Sequence, residues 1–393
     1  MIPGVPEADA DVRSLFDIPD DVSYLNTAYM SPLPRASVEA GWMALERKSH
    51  PWTIAAEDFF VPGDAYRSLV AELLGADADG VAITPSVSFG LSTFASLLPL
   101  GEGQVVVVPA DEFPSNLLPW QVAADRAGAT VERVPRGGEG SGTAGLVEAV
   151  ERLGERVALV AVPACHWTDG TPYDLPEVAR AARAVGAAVA VDLSQSLGAV
   201  PFGASTVEPD VVVGVNYKWL LGPYSLGFAW FAPPWRDGMP LEHGWASRAG
   251  ADDFAALITP GPGYRPGARR YDMGEAAQHH LMPVALASLH LVSGWGPHER
   301  AEHSRRLTDS IANGAAALGF AVPPPDHRSP HLLGLGLVGT GLDPATLAGH
   351  LAEARVHVSV RGSSVRVSAD VYNDETDVDR LLAALASAVA QVT

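Results

Sequence analysis

Two apolar runs each end in a residue able to do chemistry. Ala188-Val189-Ala190-Val191 leads into Asp192, with Gln195 three residues on, and Val211-Val212-Val213-Gly214-Val215 leads through Asn216 and Tyr217 to Lys218. Both runs read as strands, so two strands bring one charge each to the same edge. An ammonium at the end of a β-branched run is costly to bury unless it is paired or neutralised. Condensation with an aldehyde removes that charge, and desolvation lowers the pKa of the amine that must condense. Alone, Lys218 also reads as a side chain snorkelling to water, and Asp192 as the cap of a turn. The pair is more specific than either member.

An aldehyde commonly held by such a lysine is pyridoxal 5'-phosphate, whose ring nitrogen needs a carboxylate to stay protonated, the part Asp192 would take. Gln195 is placed to hydrogen-bond the phenolic oxygen of that ring, or to open a solvated helix. In TPSVSFGLSTFASLL, Ser86, Val87 and Ser88 open a helix after the run VAIT, where backbone N–H groups and hydroxyls suit a phosphate. An ordinary serine cap gives the same pattern. Tyr217 adds a phenol within reach of that phosphate. Phe113, in DEFPSNLLPW, follows the run VVVVP and offers a flat face to a ring, or to the core. His166 and Trp167, in PACHWTDGT, follow another strand end and are expected to face the crevice. His166 reads equally as an acid/base group or a structural imidazole. Arg366, in SSVRVSADVYND, fits bidentate capture of a substrate carboxylate, and Arg361 nearby could take the same part.

These residues need a scaffold, and the sequence supplies one between about 80 and 233. Strand patterns at 81–84, 105–109, 130–135, 157–164, 187–194, 210–215 and 226–232 alternate with helical stretches, among them 175–186. Strands apolar throughout, joined by helices, predict an α/β protein with a mostly parallel central sheet covered on both faces. Ligands of such sheets bind beyond the carboxyl ends of the strands. From Pro233 to Tyr271 the pattern breaks into a Gly-, Pro- and Arg-rich connection, after which a second, smaller α/β unit follows. The expected division is an N-terminal segment 1–20 packing with the small domain, a large domain 21–270, and a small C-terminal domain 271–393. A chain of 393 residues exceeds one core's usual size, in keeping with that division.

With a net charge of −20 and no basic block, nucleic acid is a poor partner. No run approaches the about 18 apolar residues of a membrane span, so a soluble cytoplasmic protein is expected. Cys165, the single cysteine, excludes an intramolecular disulfide, and no cysteine cluster exists to hold a metal.

In chain order the segments YLNTAYMSPLP, TPSVSFG, EFPSN, HWTDGTPYDL, AVDLSQSLGAVP, NYKWLLGPYSLGF and VSVRGSSVRVSADVYND resemble the class V aminotransferase group of fold type I pyridoxal-phosphate enzymes, which includes cysteine desulfurases, kynureninases and isopenicillin N epimerase-like proteins. The resemblance implies that Lys218 is the Schiff-base lysine, Asp192 the partner of the pyridinium, Gln195 the neighbour of the phenolate and Arg366 the carboxylate anchor. It adds Asn26, in YLNTAYMSPLP, to the substrate-binding candidates. Phe113 and Tyr217 match a kynureninase-like pattern, where desulfurases carry His and a Ser-Gly-His run. A homodimer with sites at the subunit interface is implied as well. Two departures stand out: Trp167 occupies the place of a cofactor-contacting asparagine, and Glu275 that of a threonine supplied by the partner subunit. The loop HVSVRGSSVRV lacks the persulfide-forming cysteine of desulfurases. The expected activity is removal of an amino acid's Cα proton through an external aldimine, of aminotransferase or C–S/β-elimination lyase type. Epimerisation, kynureninase-like hydrolysis or a non-catalytic scaffold are the alternatives.

Overall fold

The computed structural model describes residues 12–136, 142–259, 261 and 263–392. The expected N-terminal segment 1–20 lies outside the described residues as far as residue 11. A short strand, β1 (Ser23–Tyr24), precedes α1 (Arg35–Ser49) and α2 (Val61–Leu74). Strands and helices then alternate: β2 (Val81–Thr84), α3 (Val87–Leu97), β3 (Val105–Pro109), α4 (Leu118–Ala127), β4 (Thr130–Val134), α5 (Gly142–Leu153), β5 (Val157–Pro163), α6 (Leu175–Ala184), β6 (Ala188–Asp192), α7 (Ala204–Val207), β7 (Val211–Val215) and β8 (Gly227–Phe231). Among the described residues, the stretch 233–271 contains only short 3-10 turns. Beyond it lie α8 (Leu281–Trp295), α9 (Pro297–Ala317), β9 (Leu333–Gly336), α10 (Pro344–Glu353), β10 (Val356–His357), β11 (Ser359–Arg361), β12 (Ser364–Val367) and α11 (Glu375–Ala390).

The central sheet has the order β2-β8-β7-β6-β5-β3-β4. The pairs β3/β4, β3/β5, β5/β6 and β6/β7 are parallel, while β8 runs antiparallel to both β2 and β7. Since β2 and β7 both oppose β8, they point the same way, and six of the seven carboxyl ends share one edge. Successive valines explain why this sheet is buried twice over. Val105 and Val107 enter one core with Leu146 of α5, Val178 of α6 and Met282 of α8. Val106 and Val108 enter the opposite core with Phe94 of α3 and Trp120 of α4. A strand that is apolar at every position fits this three-layer arrangement and no one-sided sheet.

The strand order reverses beside β3: the chain passes from β3 outward to β4, then returns to β5 on the other side. Such a reversal opens a crevice at the carboxyl ends, and the predicted loops all lead into it.

A second core forms from β9, β12, α9 and α11, with Leu335, Val365, Ile311 and Leu381 at its centre. Leu25 joins it from the N-terminal part of the chain, next to β1, which pairs in parallel with β10. Arg13 reaches the same unit, donating to Asp377 at 3.0 Å. Between the two cores runs a buried ion pair: Arg300 of α9 grips both oxygens of Asp370, at 2.7 and 2.8 Å, and donates to the Trp219 carbonyl at 2.9 Å. Trp219 is the neighbour of Lys218, so this arginine ties the lysine loop to the segment after β12. Removing one partner leaves a buried charge uncompensated, and Asp370→Asn is expected to cost about 3 kcal/mol or more of stability, read as a lowered denaturation midpoint. Among the described residues no helix is long and apolar enough to cross a membrane.

Candidate functional site

A cavity of about 410 Å³ lies at the carboxyl edge of the sheet, in the range of small-molecule sites. Ser86, Val87 and Ser88 line it, as do Phe113, Trp167, Asp192, Gln195, Tyr217 and Lys218. Nine of the predicted site residues thus converge from five loops.

Lys218 sits one turn beyond β7 and is buried, its Nζ 5.7 Å from the ring centres of Phe113 and Tyr217. Burial pushes its amine down to about 8, against the raising effect of Asp192; Arg366 and Arg361 push the same way as burial. No ion pair reaches this ammonium among the described residues. The chain has two lysines, and the other, Lys48, is exposed at the end of α1. The loop after Lys218 turns back through Leu221 and Ser225, both in the left-handed region at φ 54° and 64°. The hydrogen bond from Gly222 N–H to the Asn216 carbonyl, 2.8 Å, closes that turn.

Asp192 ends β6, buried, with Oδ1 accepting from the Ser194 N–H at 2.8 Å. Burial raises its pKa, while the bonds from Ser194 and the charge of Lys218 oppose the rise. Ser86 caps α3, its hydroxyl accepting from Phe89 N–H at 3.2 Å and meeting the Ser88 hydroxyl at 3.0 Å. The N–H groups of Val87 and Ser88 belong to the first turn, which has no intrahelical acceptors for them. Phe113 meets Trp167 edge to face, centroids 5.4 Å apart, and Trp167 is anchored by its indole N–H on the Asp111 carbonyl at 2.8 Å. Tyr217 packs against Tyr224, 4.5 Å between centroids.

Gln195 faces the cavity more constrained than its sequence position implied. Its Oε1 accepts from the Trp219 indole at 3.1 Å and its Nε2 donates to the Ala28 carbonyl at 3.0 Å, leaving one amide hydrogen for a ligand.

His166 requires a correction. It does not line the cavity: the ring is fully buried beside it, with Nδ1 against the Thr168 hydroxyl at 2.7 Å and Nε2 against the Asp111 carbonyl at 3.0 Å. Burial pushes the imidazole down to about 4. A side chain with both nitrogens engaged is a structural histidine that shapes the turn carrying Trp167.

None of the three substrate candidates lines the cavity. Arg366 is 2% exposed, donates to the Trp167 carbonyl at 2.7 Å and to the Ser359 hydroxyl at 3.4 Å, and its Nε has no partner. No carboxylate among the described residues pairs with it, and burial with Arg361 nearby pushes the guanidinium down to about 10. Arg361 is half-buried on β11 and donates to its neighbour's carbonyl. Asn26 does not contact the cavity; its Oδ1 accepts from the Ser359 hydroxyl at 2.8 Å, so it steadies the serine that Arg366 touches.

Further cavity residues were not among the predicted site residues, Glu112 and Cys165 with them. Glu112 precedes Phe113 and points a buried carboxyl into the same region. Cys165 also lines the cavity, its thiol 3.6 Å from the Gln195 carbonyl and pushed up to about 12 by burial. The described residues hold no cluster of His, Cys, Asp or Glu suited to a metal.

The residues fit pyridoxal phosphate. Free first-turn N–H groups and paired serine hydroxyls suit the phosphate, a flat ring suits the pyridine face, a buried carboxylate suits a ring nitrogen, and a desolvated amine suits the aldehyde.

A family model described as aminotransferase class-V matches residues 55–381. Isopenicillin N epimerase of Streptomyces clavuligerus is 28% identical over 92% of this chain and 93% of its own length. Kynureninase of Deinococcus radiodurans is 29% identical over 67% of this chain, and the match spans 64% of that enzyme. Among solved structures, the apo cysteine desulfurase of Thermococcus onnurineus superposes with a TM-score of 0.83 at 21% identity, covering 97% of this chain and 98% of its own. The cystine C–S lyase C-DES in complex with cysteine persulfide gives 0.82 at 22% identity, covering 93% and 98%. The sheet order and layers are those of fold type I.

Proposed function

The chain belongs to the aminotransferase class-V family of pyridoxal-phosphate enzymes, and on that premise we propose that it removes the Cα proton of an amino acid in an aminotransferase or C–S/β-elimination reaction. The observation that carries this reading is the buried Lys218 with no ion pair among the described residues, held in one cavity with Asp192 and backed by a buried arginine that has no carboxylate of its own. In the site, pyridoxal phosphate supplies a sink for the electron pair left when the Cα–H bond breaks.

The protein's own groups do the rest. Ser86, Val87 and Ser88 would bind the phosphate, Phe113 would cover the ring face, and Asp192 would hold a proton on the ring nitrogen. Lys218, buried and desolvated, would hold the cofactor's aldehyde and would take up the substrate's Cα proton on Nζ. Arg366, joined by Arg361, binds the substrate carboxylate and so orients the Cα–H bond. Cys165 supports a route without a protein persulfide, because a thiol this strongly desolvated is not a thiolate at neutral pH.

Loaded protein incubated with a panel of amino acids in D2O is expected to place deuterium at Cα of at least one of them, with keto acid, or pyruvate and ammonia, appearing by mass spectrometry. No exchange and no product across the panel would sink the reading.

We also propose a homodimer. The outer face of α1 exposes Trp42 and Met43, 69% and 62%, and Trp52 beyond it is 78% exposed, more apolar surface than a lone copy usually leaves to water. Trp42→Asp combined with Met43→Asp is expected to convert a dimer to monomer in sedimentation velocity. A monomeric parent protein at micromolar concentration would remove the basis for it.

A further inference from the structure

Glu112 is the carboxyl in the cavity to which the reaction above gives no task. It follows β3, is 6% exposed, and lines the cavity with Asp192 and Lys218. Its Oε1 accepts from the Phe113 N–H at 2.6 Å, and its Oε2 is buried without a hydrogen-bond partner. The groups facing it come from every neighbouring loop. Asp192 lies across β5 at the end of β6, Arg136 stands just past β4, and Asn116 extends its amide from the same loop. Tyr173, beyond β5, brings a buried phenol that also lacks a partner. Lys218 lies on the far side of Asp192, and Arg136 is already engaged by Asp169 at 2.7 Å.

Two carboxyls in one dry pocket do not both ionise readily. Asp192 is the better site for the charge, since it has the Ser194 N–H and the nearer cation, Lys218. Glu112 has the Phe113 N–H at Oε1, and the nearby Asn116 amide and Arg136 charge oppose the rise without closing a hydrogen bond to Oε2. Burial, then the charge of Asp192, push it up to about 8.

We propose that Glu112 is a positioning residue held as the neutral acid: Oε1 fixes the amide that carries Phe113, and by keeping its proton the side chain leaves Asp192 as the one carboxylate beside Lys218. With a single anion nearby, Lys218 can shed its own proton. A second anion would hold that proton on the amine and repel the incoming phosphate. The inference rests on the assignment of Lys218 and Asp192 above.

Two measurements test it. In infrared spectra of the cofactor-free protein at neutral pH, a protonated-carboxyl carbonyl band is expected to disappear in Glu112→Gln. In the parent that band should titrate away in mildly alkaline buffer, and in Asp192→Asn it should titrate at lower pH because the repelling charge is gone. The Asp192→Asn arm needs no change at position 112, so it still reads the proposal if Glu112→Gln fails to fold. The second measurement follows capture of pyridoxal phosphate by cofactor-free protein against pH. The Glu112→Gln variant is expected to capture faster as pH rises and then level off, while the parent falls at least threefold below it on the alkaline side. Superimposable profiles, or a band that Glu112→Gln leaves in place, would overturn the role of Glu112 alone. Failure of Lys218 to capture the cofactor at all would instead overturn the assignment beneath it.

Discussion

Lys218→Ala is expected to lower turnover by about a thousandfold or more and to abolish the borohydride-fixable bond between protein and cofactor. General-base catalysis by a positioned group contributes about 10²–10⁴, and on the proposed assignment this residue would also provide the covalent hold, so both losses would fall on one substitution. With only Lys48 as the other lysine, peptide mapping of the reduced protein gives an unambiguous answer: the added mass belongs on the peptide containing position 218. The same residue sets a pH dependence. Capture of the aldehyde requires the neutral amine, and burial places the amine near 8 in the free site. Below that pH the capture rate should rise about tenfold per unit, because the fraction of free amine rises tenfold, and above it the rise should stop, with the parent held below Glu112→Gln as proposed above. Label found on Lys48, or an alanine variant with parental turnover, would refute the assignment.

The second large effect is expected at Arg366. Truncating one member of a buried, hydrogen-bonded charge pair costs about 2–5 kcal/mol, and each about 1.4 kcal/mol is a decade, so Arg366→Ala should reduce kcat/KM for an amino acid by roughly 30-fold to several thousandfold. Most of that loss should appear in KM. Arg366→Lys retains the charge but not the fork, and should recover only part of it. An amine without a carboxylate should be indifferent to the change, which separates loss of the anchor from damage to the fold. Equal kcat/KM for amino acids in parent and variant would show that the carboxylate is bound elsewhere.

The central sheet was legible because valine runs leave few alternatives. All seven strand patterns between 81 and 232 correspond to β2 through β8, with ends trimmed by no more than two residues. The expectation of a mostly parallel sheet also held, with β8 as the antiparallel member. Less visible was β1, two residues long, whose pairing with β10 depends on chain segments over 300 residues apart and leaves no periodic trace. The meeting of Asp192 and Lys218 in one cavity was readable because each follows an apolar run. His166 was not, because a histidine after a strand looks the same whether its ring faces the cavity or the Asp111 carbonyl. Glu112 was hidden by its neighbour: in DEFPSN a carboxylate beside a turn is most simply a solvated one, and its burial is visible only in the fold.

The turn carrying Trp167 touches two tasks at once. Its indole ring meets Phe113, and its backbone carbonyl takes the hydrogen bond of Arg366. On the proposed roles of Phe113 and Arg366, ring stacking and carboxylate capture would be mechanically geared through one residue, so a change of substrate acquired by moving this turn would also disturb the grip on the cofactor. Lineages or libraries that diversify this enzyme face a constraint there. Freedom to alter substrate choice is greater in surfaces that border the cavity without joining those two contacts, such as the Tyr224–Ser225 rim.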